Sequence, residues 1–196
     1  MEARDLWPES ARVLDALQPA EREALFQAAW SPYASVSCAM LVLLLRLLIA
    51  VLPSLWLRRA LSWRFQARTI DHAGSPYLTR WTILDYRDGG HLYLHFFHRG
   101  DADRELHNHP WFAHGQIIAY GYREERLSPR GVEIYEYRAG SPTVLFPGTF
   151  HRVDLLYQAK GCWTTLSVGG RQQSWGFWDR DTGVFTPWRE FVARKL

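Results

Sequence analysis

The sequence changes character near residue 66, and this change limits the folds that are open to the chain. Beyond that point apolar and polar residues alternate in short runs, which are separated by Gly, Pro and Asp. An alternation with a period of two is typical of strands that bury one face, and these turn residues end strands. Eight or so short strands of this kind predict a sandwich or a small barrel. We place them at residues 77–86, 91–99, 115–126, 133–137, 143–146, 151–156, 162–168 and 174–178.

Before residue 66 the pattern predicts a helical arm. Residues 8–30 carry apolar side chains at helical spacing that Pro19 interrupts, so we expect two short amphipathic helices there. The length of 196 residues allows one domain with such an arm, and 47% hydrophobic with 22% charged residues is enough to bury a core. We therefore predict a helical arm at residues 1–65 and a β domain with a C-terminal tail at residues 66–196.

A run at residues 39–57 is apolar on every face apart from Arg46, Pro53 and Ser54. Its length matches the roughly 30 Å of a bilayer core. The central arginine costs roughly 2.5–3.5 kcal/mol on insertion, which the leucines roughly cancel. Three alternatives follow: a membrane-spanning helix, a helix or hairpin that lies in the membrane surface, and an apolar helix packed on the domain or in a dimer interface.

Arginines at positions 58, 59, 64 and 68 follow this run, and the positive-inside rule then places the barrel domain on the cytoplasmic side of a membrane. The formal charge of +3 comes without a basic block, so nucleic acid is not an expected partner. The two cysteines are far apart in sequence, which excludes a disulfide scaffold and a cysteine-rich metal site.

Six of the eight histidines lie in the segment from residue 91 to residue 114. Within this cluster His107 and His109 are two residues apart, and in an extended strand such residues point to the same face, so both imidazoles can reach one ion. The Pro147-Gly148 turn precedes His151, which would start the next strand facing back inside. The three histidines together predict a metal site made of nitrogen ligands.

These residues resemble the cupin superfamily over roughly residues 66–180. Cupins carry H-x-H followed by Glu and Gly, and then a second motif with Pro, Gly and His followed by Asn. The matching positions are His107, His109, Gly121, Gly140, Pro147, Gly148 and His151. Two positions depart from the pattern, because His114 stands where the Glu is expected and Leu155 where the Asn is expected. Small bacterial and phage cupin-like proteins of poorly assigned function look similar.

The resemblance implies a jelly-roll barrel with His107, His109 and His151 as the ligands of a divalent metal ion. Fe(II) is the expected ion, and Zn, Ni, Mn and Cu also suit imidazole. The resemblance further implies an oxygenase that acts on a small substrate, and the apolar run at residues 39–57 suggests a lipid-like or amphiphilic substrate. We expect catalytic roles for His114, Glu124 and Tyr122, and we expect the substrate pocket to contain His95, Gln116 and Trp163.

Two other functions remain open. A non-catalytic cupin module could sense or store a small ligand while the arm contacts a membrane or a partner, and the missing Glu and Asn favour this alternative. A structural protein whose arm forms a homo-oligomer is the third possibility, with histidines that serve no metal.

Overall fold

The computed structural model describes residues 36–52, 54–72, 74–87, 89–101 and 105–194, and over these residues the chain is mainly β. The helices predicted at residues 8–30 lie outside the described residues. Helices α1 (Val36–Val51) and α2 (Ser54–Arg64) precede the strands, and helix α3 (Trp188–Ala193) follows them. Strands begin at Ala67, which agrees with the change of pattern near residue 66, while the division of the chain into domains stays a prediction.

Twelve strands of the described residues form two six-stranded antiparallel sheets. In spatial order the first sheet contains β1 (Ala67–His72), β2 (Ser75–Asp85), β3 (His91–Phe97), β10 (Cys162–Val168), β5 (Ala113–Ala119) and β8 (Pro142–Leu145). The second contains β12 (Phe185–Pro187), β11 (Gly176–Trp178), β4 (Leu106–His107), β9 (His151–Leu155), β6 (Gly121–Ser128) and β7 (Gly131–Arg138). This is the mainly β, cupin-type barrel behind N-terminal helices that the sequence predicted.

The strand predicted at residues 115–126 is wrong as a single element. It divides at Tyr120 into β5 of the first sheet and β6 of the second. Tyr120 has a φ of 67°, a left-handed conformation that interrupts an extended chain. The interruption also changes which residues face the interior, since Ile117 and Tyr122 pack in one cluster although they are five residues apart.

The two faces of the first sheet serve different purposes. Its inner face lines a cavity between the sheets. Its outer face is covered by the N-terminal helices, and Trp81 and Trp163 stack there with their ring centroids 5.6 Å apart. Leu57 and Leu61 of α2 are buried against these rings, and the Trp81 indole donates a hydrogen bond to the Ser62 hydroxyl at 3.0 Å. The helices and the barrel therefore share one core.

The apolar run at residues 39–57 is divided between α1 and α2, and Pro53 stands in the sequence between them. Proline ends a helix because it lacks an N–H donor and its ring collides with the preceding turn. In the part of the chain that the structure describes, no helix has the length and sustained hydropathy needed to cross a membrane.

The packing buries just one side of the helices. Leu45 contacts the barrel core, while several large apolar side chains on the opposite side are exposed. They are Leu43, Leu44, Leu47, Val51, Leu52, Leu55, Trp56 and Trp63, and we call them the exposed helical face.

We expect Leu57→Ala to lower the free energy of unfolding by about 2–5 kcal/mol, since the Leu57 side chain is 4% exposed and its loss leaves a cavity. Leu55→Ala is the matched control, because that leucine is 51% exposed in the same helix. Its expected effect is within about 0.5 kcal/mol. Urea unfolding followed by tryptophan fluorescence measures both variants, and equal effects would show that α2 does not pack on the barrel.

Candidate metal centre

Two histidines that are close in sequence, His107 and His109, meet the distant His151 in the wall of the cavity. His107 ends β4, His151 begins β9, and the two residues are direct partners in the register of these strands. His109 follows just beyond β4, which contains Leu106 and His107 alone. The H-x-H segment is thus only partly in a strand, but the three side chains still converge.

The distances within this histidine cluster suit a single ion. One ring nitrogen from each histidine lies within 4.8 Å of the other two, and the Nε2 atoms of His109 and His151 are 2.9 Å apart. Imidazole nitrogens bind transition metals at about 2.0–2.1 Å, so two ligands of one ion lie about 3 Å apart. Within the described residues no carboxylate joins the cluster, so its donors are three imidazoles.

Burial keeps the imidazole of His109 neutral, which is the form that binds metal. The pKa of His109 lies well below its ordinary value, first because burial disfavours the charged ring and then because His107 and His151 are adjacent. The Trp111 indole also stacks on His109 with ring centroids 4.3 Å apart and fixes its plane.

Glu124 lies behind the cluster and contacts His151. Its side chain is 1% exposed, and its Oε1 is 2.6 Å from Nδ1 of His151. Burial by itself would raise the pKa of Glu124, but Arg126 and the hydrogen bond with His151 outweigh burial and lower the pKa to about 2. The carboxylate is therefore charged, and it accepts the Nδ1 proton of His151 while Nε2 faces the other histidines.

The loops that carry the histidines are tied together by amides that the sequence reasoning missed. The Asn108 side chain donates to the Pro147 carbonyl at 3.2 Å and accepts a bond from the Gly176 N–H at 2.9 Å. Gln173 donates to the carbonyls of His109 and Pro147. The H-N-H sequence and the Pro-Gly turn were visible in the chain, but their connection required the tertiary structure.

Three of the predicted site residues lie on the other side of the first sheet. His114 and Gln116 alternate along β5 with the inward residues Ala113, Gly115 and Ile117, so they point outward. Gln116 donates to the Gly140 carbonyl at 3.1 Å instead of lining the cavity. The expectations for His114 and Gln116 are thus corrected. The break at Tyr120 explains the error, because it reverses the parity that should have placed His114 and Glu124 on one face.

Trp163 is the third of these residues. It is fully buried in the core beneath the helices, where it packs on Trp81 and Phe96. Its neighbours along β10, Cys162 and Thr164, point to the barrel interior instead. Trp163 therefore stabilises the helices and is not a pocket residue.

His95, which was predicted to line the substrate pocket, lies in the wall of the cavity, and Tyr122, for which we predicted a catalytic role, lines the same cavity. Burial and then the charge of Arg80 lower the pKa of His95 to about 3, so that ring is neutral. Burial and then Glu124 raise the pKa of Tyr122 well above its usual range, so its phenol keeps its proton. The cavity has a volume of about 390 Å³, which suits a small ligand.

No protein-family model matches this chain, and no curated protein matches it. Among solved structures, Fe(II) HppE aligns with a TM-score of 0.46 and 6% identity over 53% of this chain and 56% of that chain. A cupin-2 domain protein from Rhodospirillum rubrum aligns with a TM-score of 0.45 and 10% identity over 57% and 74%. An oxalate decarboxylase variant from B. subtilis aligns with a TM-score of 0.42 and 17% identity, and the alignment covers 56% of this chain and 28% of that chain. The chain thus spans little more than half the length of HppE. The cupin-type fold rests on the two sheets and the histidine positions described above.

We expect Glu124→Gln to weaken metal binding about 10–100-fold, because His151 loses the charged acceptor that orients it. Competition between the full chain and a chelator for Zn(II) measures this affinity. Glu125→Gln is the control, since the carboxylate of Glu125 pairs with Arg152 and Arg180 and not with a histidine. Thermal unfolding verifies that both variants fold, and unchanged affinity in folded Glu124→Gln would contradict the role of this carboxylate.

Proposed function

We propose that this chain is a metal-dependent enzyme of the mononuclear, non-haem oxygenase type, with His107, His109 and His151 as the ligands of a divalent ion. The observation that carries the proposal is the convergence of three imidazoles in the wall of a mostly apolar cavity. Three protein ligands leave coordination positions for substrate and a second molecule. Fe(II) is the proposed ion because nitrogen ligands and open positions suit iron oxygenases.

When bound, such an ion supplies Lewis acidity and the one-electron chemistry that side chains lack. The residues of this chain supply the rest. Glu124 holds the proton on Nδ1 of His151, and the surrounding aromatic rings exclude water. Tyr122 stays protonated in the wall and is available as a hydrogen-bond donor to a substrate.

A non-catalytic binding module is the second candidate. The absence of a carboxylate from the cluster of described histidines supports it, because the usual cupin site that the sequence resembles includes one. The same barrel would then hold a metal or a small ligand without turnover. Oxygen consumption separates the two candidates, since a module that binds iron consumes none beyond slow oxidation of the ion.

We expect purified full-length protein to contain about one metal ion per chain, and we expect both His107→Ala and His151→Ala to lose it, because two imidazoles hold an ion too weakly. Elemental analysis after dialysis measures the content. His91→Ala is the matched control, since that histidine pairs with Asp85 away from the cluster. Retention of the ion in either cluster variant would refute the three-histidine site.

We also propose that the exposed helical face lies on an anionic membrane surface, with the barrel on the cytoplasmic side. Residues 36–70 contain five arginines and no acidic residue, and Trp56 and Trp63 are exposed beside the leucines. Apolar side chains, tryptophans and arginines together are typical of helices that bind the membrane interface. Such a position would bring an amphiphilic substrate close to the barrel.

We expect the full chain to sediment with vesicles of phosphatidylserine and phosphatidylcholine, and we expect Leu47→Glu to weaken this binding at least about tenfold, since a charge enters the apolar layer. Ile134→Glu is the control, because Ile134 on β7 and Leu47 on α1 are both 63% exposed. A result in which the two variants bind alike would contradict the assignment to the helices. Concentration-dependent self-association that Leu47→Glu abolishes, without vesicle binding, would identify a second copy of the chain as the partner.

A further inference from the structure

A row of polar side chains crosses the inner face of the first sheet. In the strand register Arg68 is opposite Arg80, Arg80 is opposite His95, and His95 is opposite Thr164. Directly opposite residues in antiparallel strands point to the same face. Arg80, His95 and Thr164 all line the cavity, and Arg68 extends the row at the exposed edge of the sheet.

The protein itself leaves this row with unused hydrogen-bonding capacity. Among the described residues no carboxylate forms a salt bridge with the Arg80 guanidinium, which lies over the Tyr93 ring at 4.7 Å. The His95 ring also stacks on the Tyr93 ring, with the ring centroids 5.6 Å apart. The buried Nε2 of His95 has no hydrogen-bond partner within the described chain. Buried polar atoms nearly always have a partner, so a group of matching chemistry is expected from a ligand.

Three acidic residues, Asp71, Asp101 and Glu105, line the cavity. Asp101 accepts a hydrogen bond from the Val153 N–H at 2.6 Å and another from the Tyr77 hydroxyl. Asp71 is opposite Pro76 in the strand register. It lies three residues along β1 from Arg68, the residue opposite Arg80, so the backbones of Asp71 and Arg68 are about 10 Å apart. Among the described residues of the cavity wall no carboxylate forms an ion pair with Arg80.

This polar row and the histidine cluster belong to one space. Both line the same cavity between the two sheets. Much of the remaining wall is apolar, and its main contributors are Leu78, Phe97, Trp111, Leu145, Leu166 and Phe177. One cavity thus combines an arginine, an apolar wall and the histidine cluster.

We propose that the substrate is a small amphiphilic carboxylic acid, whose carboxylate is bound by Arg80 with hydrogen bonds from His95 and Thr164. Its apolar body lies against the apolar side chains of the wall, and the molecule extends toward the histidine cluster. Guanidinium groups match carboxylates through paired N–H donors, which makes arginine the side chain suited to this task. The word substrate rests on the proposed function, whereas recognition of the carboxylate does not.

Calorimetric titration of the full chain with 3-phenylpropionate and with 3-phenylpropionamide tests this inference, because the two probes share a shape and differ in charge. We expect the acid to bind at least tenfold more tightly than the amide. Arg80→Gln should weaken the acid about 10–100-fold, the size of one charged hydrogen-bonded contact, and leave the amide unchanged. Arg130→Gln is the control, since Arg130 is exposed in the turn between β6 and β7.

The titrations are made on the protein as purified and again after chelator treatment, because a carboxylate can also bind a metal ion directly. Preference for the acid that persists without metal and disappears in folded Arg80→Gln supports the inference. Equal binding of acid and amide, binding of neither, a preference that requires metal, or insensitivity to Arg80→Gln would each overturn it. Failure of the proposed metal function would appear in the elemental analysis as a chain without metal. Binding of the acid does not depend on that function, so we expect His151→Ala to bind the acid as well.

Discussion

The candidate site depends on one pair of residues in the strand register, His107 opposite His151, which joins β4 to β9. A strand of two residues contributes little stability by itself, so this contact needs support from outside the backbone ladder. Asn108 supplies support from one side by bridging the Pro-Gly turn and β11, and Glu124 supplies it from the other by bonding His151. A buried carboxylate is stable there because Arg126 compensates its charge at 2.9 Å.

The first sheet shows how one layer can serve two purposes at once. Successive residues of a strand face opposite sides, so His95 reaches the cavity while Phe96 packs beneath the helices. The apolar run before the barrel is explained in the same way, because Leu57 covers the sheet and its exposed neighbours do not. Burial of half a helix thus leaves the other half available for the membrane surface that we propose.

Most of the strands and the histidine cluster were predictable from local patterns. Alternation and turn residues are local properties, and they placed the strands that carry His95 and His151. The alternation pattern failed at residues 115–126, where it predicted one strand and the structure has two strands in different sheets. Nothing in the local sequence showed that Tyr120 adopts a left-handed conformation, and that one residue decided that Glu124 faces inward while His114 does not.

The sequence by itself determined the mainly β domain, the helices before it and the three histidines, because each depends on residue type and short spacing. The tertiary structure alone decided which faces meet. It placed Trp163 under the helices, brought Asn108 and Gln173 to the loops of the site, and set Arg80 beside His95 in the cavity. These contacts join residues that are far apart in the chain, and their geometry follows from the pairing of strands and not from any local preference.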